Sequence, residues 1–199
     1  MRTLKINSMK SLLKISFAIM LLTNACTPSD KKLKSKSDTS TNIETAIATP
    51  KINIHEAVLT SNLEVVKQHI KAQTNINEKD AMSGSTPLIT AASFGKNEIA
   101  KALINANADL AIKNNDGSTA LHAAAFFCRI EIVQLLIDAK ADKTIRNNFG
   151  ATPRESVMGP FPQIKPIYEM LQLQLKPIGL QLDLNEIEKT RPVIAMMLQ

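Results

Sequence analysis

The chain has 199 residues, 44% of them hydrophobic and 4% aromatic, with 24 Lys+Arg against 18 Asp+Glu, six glycines, nine prolines and two cysteines. That length suits one domain with appendages and excludes two large domains. The formal charge of +6 is unevenly placed: residues 1 to 25 hold four basic residues and no acid, residues 26 to 51 a net +2, and residues 52 to 199 equal numbers of both signs. The positive surplus that nucleic-acid binding needs is missing from the part able to fold, so no nucleic-acid partner is expected.

In chain order, Arg2, Lys5, Lys10 and Lys14 precede an apolar core from Ile15 to Leu22, then Thr23, Asn24, Ala25 and Cys26. This is the order of a secretory signal peptide over residues 1–25, and eight apolar residues fall short of the roughly 20 that span a bilayer. Met9-Lys10 offers a second start that leaves a compact signal of the same type. The segment Leu22-Thr23-Asn24-Ala25-Cys26 resembles the lipobox of bacterial lipoproteins, with Thr23 standing where that family usually has leucine. The resemblance implies that Cys26 carries a diacylglyceryl group and becomes the mature N-terminus, with buried acyl chains at about 0.8 kcal/mol per CH₂ providing a membrane anchor. It further implies a place in the bacterial cell envelope. Thr27 after the cysteine favours a periplasm-facing position on the outer membrane, and ordinary cleavage to a soluble secreted or periplasmic protein is the alternative. Lipid on Cys26 leaves Cys128 alone, so no intramolecular disulfide is expected.

Residues 26–51 are read as the lipidated cysteine followed by a tether. They are rich in Ser, Thr and Lys and poor in apolar residues, too little surface to offset ordering entropy. A flexible chain of that length reaches roughly 28 Å.

From residue 52 the chain repeats itself. Gly84, Gly117 and Gly150 recur every 33 residues, as do Thr86, Thr119 and Thr152; Leu88 and Leu121, Ala91 and Ala124, and Ala92 and Ala125 follow the same step. A 33-residue period points to a helical solenoid, in which a lone helix pair cannot bury its apolar stripe and neighbouring pairs stack into one core. Thr before a helix supplies an N-cap oxygen, Pro87 suits the first helical position, and the Ala-Ala pairs permit close helix approach. Gly84-Ser-Thr-Pro-Leu88-Ile-Thr-Ala91-Ala92-Ser-Phe-Gly95 and Gly117-Ser-Thr-Ala-Leu121-His122-Ala-Ala124-Ala125 resemble the ankyrin repeat. Each is followed by a second-helix spacing, Ile99, Leu103 and Ile104 or Ile132, Val133, Leu135, Leu136 and Ile137, and then by Asn107-Ala108-Asp109 or Lys140-Ala141-Asp142, close to that family's G-A-D with its glycine replaced. An earlier copy keeps Ile54-His55-Glu56-Ala57 and Asn62 to Val66, one residue out of step, which places an extra residue in the loop Asp80-Ala-Met-Ser. A fourth begins at Asn147 and then degenerates: Pro160 and Pro162 interrupt its first helix, and Ile164, Ile167, Tyr168 and Leu171 mark its second. The expected fold is all-α, an ankyrin-repeat solenoid over residues 52–173 with three fair repeats and a degenerate C-terminal cap. Residues 174–199 form a tail packed on the last repeat. In that tail region Leu171 to Leu175 and Leu180 to Leu184 alternate with period two, which suits a hairpin, while Asn185 to Leu198 has helical composition around Pro192.

No catalytic residue, metal site, cofactor or small-molecule substrate is expected, and the chain is read as not an enzyme. His55 and His122 fall where the ankyrin repeat carries a structural histidine, and His69 has no Cys or His partner at metal-ligand spacing. Asp109, Asp116 and Asp142 are loop residues suited to holding turns. Neither a nucleophile elbow nor a phosphate-cradling glycine loop is present. Cys128 replaces Gly95 of the preceding repeat, at a helix end that commonly needs a left-handed residue. It is read as tolerated there, with a redox or intermolecular thiol as the alternative.

What remains is recognition. The resemblance implies a non-enzymatic protein–protein interaction module that binds a protein partner through loop tips and the outer face of first helices. By register the contacts are Met82, Ser85, Phe94, Asn115, Asp116, Phe126, Phe127, Asn148 and Phe149, with mutual packing of Phe94 and Phe127 as the competing reading. Alternatives within the same fold are an immunity or inhibitor protein against an envelope-delivered toxin, and an accessory factor for an envelope redox enzyme that would lean on Cys128.

Overall fold

The computed structural model describes residues 49–199; the leader, Cys26 and most of the expected tether lie outside them. The described residues are helical, with no strand among them. Three antiparallel pairs come first: α1 (Ile54–Leu59) with α2 (Leu63–Lys71), α3 (Pro87–Phe94) with α4 (Asn97–Asn105), and α5 (Ala120–Phe126) with α6 (Ile130–Asp138). First helices α1, α3 and α5 stand side by side, and α2, α4 and α6 form a second layer behind them.

Local chemistry explains where each helix starts and stops. The Thr86 hydroxyl accepts from the Ile89 amide at 3.3 Å and Pro87 fills the first turn, while Asn53 and Asn62 cap α1 and α2 through their side-chain oxygens. Each first helix ends at a left-handed residue, Ser61 (φ 58°), Gly95 (φ 66°) or Cys128 (φ 53°). Each second helix ends near another, Gln73 (φ 53°), Asn107 (φ 59°) or Lys140 (φ 64°). Gly84, Gly117 and Gly150 supply the third such position, in the loop before the next first helix. Cys128 thus adopts the conformation that its alignment with Gly95 predicts.

Between the layers lies one continuous core. Leu88, Ala91, Ala92, Leu103, Leu121, Ala124, Ala125, Ile132 and Leu136 are sealed from solvent, and the alanines let successive first helices approach closely.

The cap departs from the sequence expectation. Its first helix is reduced to a single 3-10 turn, Glu155–Val157, which packs on α5. Its second helix is α8 (Leu184–Met197), which packs on α6 and on the 3-10 turn and sends Ile194 and Leu198 into the main core. The start of α8 lies beside Cys128, whose Sγ is 3.8 Å from the Ile187 carbonyl oxygen, and its end lies beside Arg154, whose Nε donates to the Ala195 carbonyl at 3.1 Å. Helix α8 therefore runs parallel to α6, as successive second helices do.

Ile164, Ile167, Tyr168 and Leu171 belong instead to α7 (Phe161–Leu175), an insertion between the two parts of the cap. Pro160 and Pro162 do not break a helix; they start one, with Pro162 in the first turn, where a missing amide costs nothing. The expected boundary after residue 173 falls inside α7 and is corrected accordingly, with the stack closing on α8.

The expected hairpin is absent. Leu171 to Leu175 is the last stretch of α7, and a 3-10 turn at Lys176–Ile178 with left-handed Gly179 follows. Leu180 and Leu182 then face inward from an extended link while Gln181 and Asp183 face solvent. The alternation is real, but the surface it buries is helical.

Candidate functional site

Three loops project from the stack one repeat apart, and each is organised by a single side chain. Asp80 accepts from the amides of Met82, Ser83 and Ser85 at 2.8, 2.7 and 2.8 Å; Asn114 Oδ1 accepts from Asp116 and Ser118; Asn147 Oδ1 accepts from Phe149 and Ala151. Burial pushes the Asp80 carboxyl up, but the Ser83 hydroxyl and the three amides outweigh it and hold the group below the usual aspartate value. Asp80 lies four residues before its glycine, whereas Asn114 and Asn147 lie three before theirs, which locates the extra residue foreseen in this loop.

The loops are stitched to one another. The Asn115 amide donates to the Ser83 carbonyl and the Asn148 amide to the Asp116 carbonyl, both at 2.9 Å. The side chains repeat the step, Asn115 Nδ2 to the Met82 carbonyl at 3.1 Å and Asn148 Nδ2 to the Asn115 carbonyl at 3.0 Å. Close approach favours glycine beneath each rung, since a Cβ on Gly84 or Gly117 would sit 2.3 or 2.4 Å from the amide oxygen of Asn115 or Asn148 and displace the side chain that makes the rung. The result is a ladder with Met82 (81% exposed) at one end and Phe149 (58% exposed) at the other, and Asn115, Asp116 and Asn148 exposed between them.

The aspartates and histidines hold the structure together. Asp142 accepts from the Thr144 amide and hydroxyl, and Asp109 from the Ala111 amide, each two residues on. His122 Nδ1 accepts from the Thr119 amide at 3.2 Å, which leaves Nε2 to donate to the Ala151 carbonyl of the next repeat at 3.1 Å. Burial lowers its pKa and keeps the ring neutral. His69 spans Thr74 Oγ1 and the Ile52 carbonyl oxygen. At His55 neither ring nitrogen has a partner among the described residues; Ile52 stands where the other repeats have a capping threonine, which removes the bond that Nδ1 makes in His122.

Four of the expected contacts are buried or half-buried. Ser85 is buried inside its loop, its amide bonded to Asp80 and its hydroxyl accepting from Ser83. Phe94, Phe126 and Phe127 are half-buried and pack against a second apolar cluster, Tyr168, Leu180, Leu182 and Ile187, from the C-terminal segment. Phe126 stacks on Tyr168 with ring centroids 4.7 Å apart and meets Phe127 edge-on at 5.1 Å. The Tyr168 hydroxyl donates to the Phe126 carbonyl at 2.6 Å and accepts from Arg191 Nη1 at 3.1 Å. Burial pushes its pKa up to about 12. These three rings lie at the ends of α3 and α5 remote from the loop tips, half-buried against side chains of α7, the link after it and α8.

Cys128 lies between the two clusters, half-buried, and burial pushes its thiol up to about 11, so it is protonated and a poor nucleophile at neutral pH. Two arginines that sequence reasoning passed over hold this region. Arg129 donates to the carbonyls of Ser93 and Gln181, tying the second repeat to the C-terminal link; Arg191, buried in α8, donates to Gly159 as well as Tyr168. Among the described residues no group of three or more His, Cys, Asp or Glu side chains could hold a metal ion, and no helix is long and apolar enough to cross a membrane.

Comparison with known proteins agrees with this geometry. Residues 54–147 match the family described as ankyrin repeats (3 copies), and the array is an ankyrin-repeat fold. The chain is 45% identical over 63 residues to protein phosphatase 1 regulatory subunit 27 of Homo sapiens and of Mus musculus, a stretch that is 32% of this chain and 40% of each relative. It thus spans well under half the length of those curated relatives. Among solved structures it is similar to the ankyrin repeat domain of Bcl-3, a member of the IkappaB protein family, at 28% identity and a TM-score of 0.50, over 52% of this chain and 45% of that one.

Proposed function

We propose that this chain is a non-enzymatic protein–protein interaction module whose binding face is the ladder of loop tips, with Met82 and Phe149 as apolar anchors and Asn115, Asp116 and Asn148 as polar contacts between them. The observation that carries this reading is the combination of exposure and rigidity: Met82 is 81% and Phe149 58% exposed, on loops fixed to each other by four hydrogen bonds. A preorganised apolar anchor loses little conformational entropy on binding and gains area when a partner pocket closes on it. The resemblance to a phosphatase regulatory subunit supports a role exercised through another protein. Cys128, raised and half-buried, does not favour the redox-accessory alternative.

The test is Phe149→Ala. An exposed ring has little folding value, so stability is expected to stay within about 0.5 kcal/mol, while partner affinity falls by about 1 kcal/mol or more. Unchanged affinity in a folded variant counts against the loop-tip face.

The module is proposed to act at a bacterial envelope, held by lipid on Cys26 and facing the periplasm, a reading supported by the cationic leader, its short apolar core and Ala25. Cys26→Ser is expected to release the protein from the membrane fraction or to stall its processing. Unaltered fractionation and processing would remove the anchor from the account.

A further inference from the structure

We propose, resting on the loop tips as the binding face, that the last rung of the ladder docks an asparagine of the partner protein, which donates its main-chain and side-chain amides to the carbonyls of Phe149 and Asn148. Both closed rungs are built this way. The carbonyls of Met82 and Ser83 receive the side-chain and main-chain amides of Asn115 at 3.1 and 2.9 Å, and those of Asn115 and Asp116 receive the same pair from Asn148 at 3.0 and 2.9 Å. One repeat further on, the equivalent carbonyls belong to Asn148 and Phe149. Among the described residues no group donates to either, and both residues are exposed.

The last loop keeps the form that makes its predecessor a template. Its left-handed glycine, Gly150 (φ 76°), matches Gly117 (φ 71°) and Gly84 (φ 66°). The Gly150 amide donates to the Asn147 carbonyl at 2.9 Å as Gly117 does to Asn114 at 3.0 Å, and the Asn147 amide donates to the Ala151 carbonyl as Asn114 does to Ser118, both at 3.0 Å. The same turn sends the same two carbonyls in the same direction. Arg146, paired with Glu155 at 2.6 Å, donates to the Gly150 carbonyl and fixes the turn before any partner arrives. Room is available as well: a Cβ on Gly84 or Gly117 would strike the asparagine of the following loop, whereas one on Gly150 meets nothing within 4 Å.

Hydrogen-bonding chemistry selects the occupant. Two neighbouring carbonyls call for two donors, and asparagine offers one on its main chain and one on a short side chain, whereas aspartate brings a carboxylate that can only accept. A second copy of this chain stacked head to tail supplies neither donor. Its leading loop has Met82 where the later loops have Asn115 and Asn148, and the Met82 amide is already given to the Asp80 carboxylate at 2.8 Å. The partner therefore brings its own asparagine, in a turn or at a sheet edge, with an apolar neighbour for the Phe149 ring; main-chain bonds of this kind supply affinity, and side-chain fit supplies selectivity.

The experiment titrates the ¹⁵N-labelled full chain with a cyclic peptide that copies this chain's own middle loop, Ile112 to Thr119, and with the same peptide carrying aspartate in place of Asn115. Saturable amide shifts confined to residues 148–151 are expected with the asparagine peptide, and binding weaker by roughly five-fold or more with the aspartate peptide. Gly150→Asn tolerates the left-handed turn and sets a side chain in the clear space, so it is expected to abolish the shifts with circular dichroism unchanged. Phe149→Ala keeps both carbonyls, so the preference for asparagine over aspartate should survive in it even where the loss of the ring weakens the natural partner, which separates the rung from the apolar anchor. The proposal is overturned by an absence of shifts at residues 148–151, by equal affinity for the two peptides, by undiminished binding to Gly150→Asn, or by a preference that vanishes in Phe149→Ala.

Discussion

Lys140 holds φ at 64° in a turn where its repeat-mates are Gln73 and Asn107, and a residue with a Cβ in that region costs about 1–2 kcal/mol. Glycine removes that strain and gives back part of the gain as extra freedom in the unfolded chain. Lys140→Gly is therefore expected to stabilise the array by about 0.5–1 kcal/mol in a denaturant melt. A loss of stability would mean that the turn is not left-handed. Cys128→Gly, at φ 53°, relieves the same strain but also removes a sulfur packed between two clusters, so its effect is expected to be smaller. The sequence shows these sites plainly: Cys128 aligns with Gly95, and Asn107 and Lys140 replace the glycine that their surroundings call for. The Asn114-Asn115 and Asn147-Asn148 dipeptides also recur 33 residues apart, but read as sequence they supply only Asn115 and Asn148, as contacts; the loop ladder and its division of labour come from the structure. The first asparagine closes its own turn and the second reaches back to the previous one.

At the scale of elements, the three helix pairs were legible because a strict period ties each position to its equivalents. The cap was not, because periodicity is blind to an insertion: Ile164 to Leu171 carry an acceptable second-helix pattern at the expected distance, yet α8 takes the place beside α6. Two features favour that outcome. The 3-10 turn at Glu155–Val157 is too short to turn the chain back directly, and Tyr168 finds a deep seat elsewhere, against Phe126 with its hydroxyl satisfied twice. That seat also explains why Phe94, Phe126 and Phe127, placed at the surface by register, are half-buried. Nothing within a repeat announces that a later segment will fold over it. Tyr168→Phe keeps the ring and removes the hydroxyl, leaving a buried carbonyl and Arg191 each short of a partner. It is expected to cost about 1–3 kcal/mol and to speed amide exchange in α7 ahead of α3 and α5. Unaltered stability would mean that α7 is not anchored through this hydroxyl.

For the molecule as a whole, the proposed function assigns binding to one edge of the array, and the opposite edge is partly covered. On that reading loop tips offer apolar anchors on a hydrogen-bonded ladder, while at the opposite ends of the first helices Phe94, Phe126 and Phe127 are partly covered by α7 and the extended link that follows it. This division follows from where the insertion lies, and it turns a general expectation about solenoid surfaces into a claim about one edge. The most direct test places a photocrosslinking amino acid at position 149 or at position 127 of the full chain, in cells that express it, and resolves the adducts by mass. The account predicts adducts with another protein from position 149, and from position 127 only internal adducts that map to residues 161–187. Intermolecular adducts from position 127, with none from position 149, would contradict it.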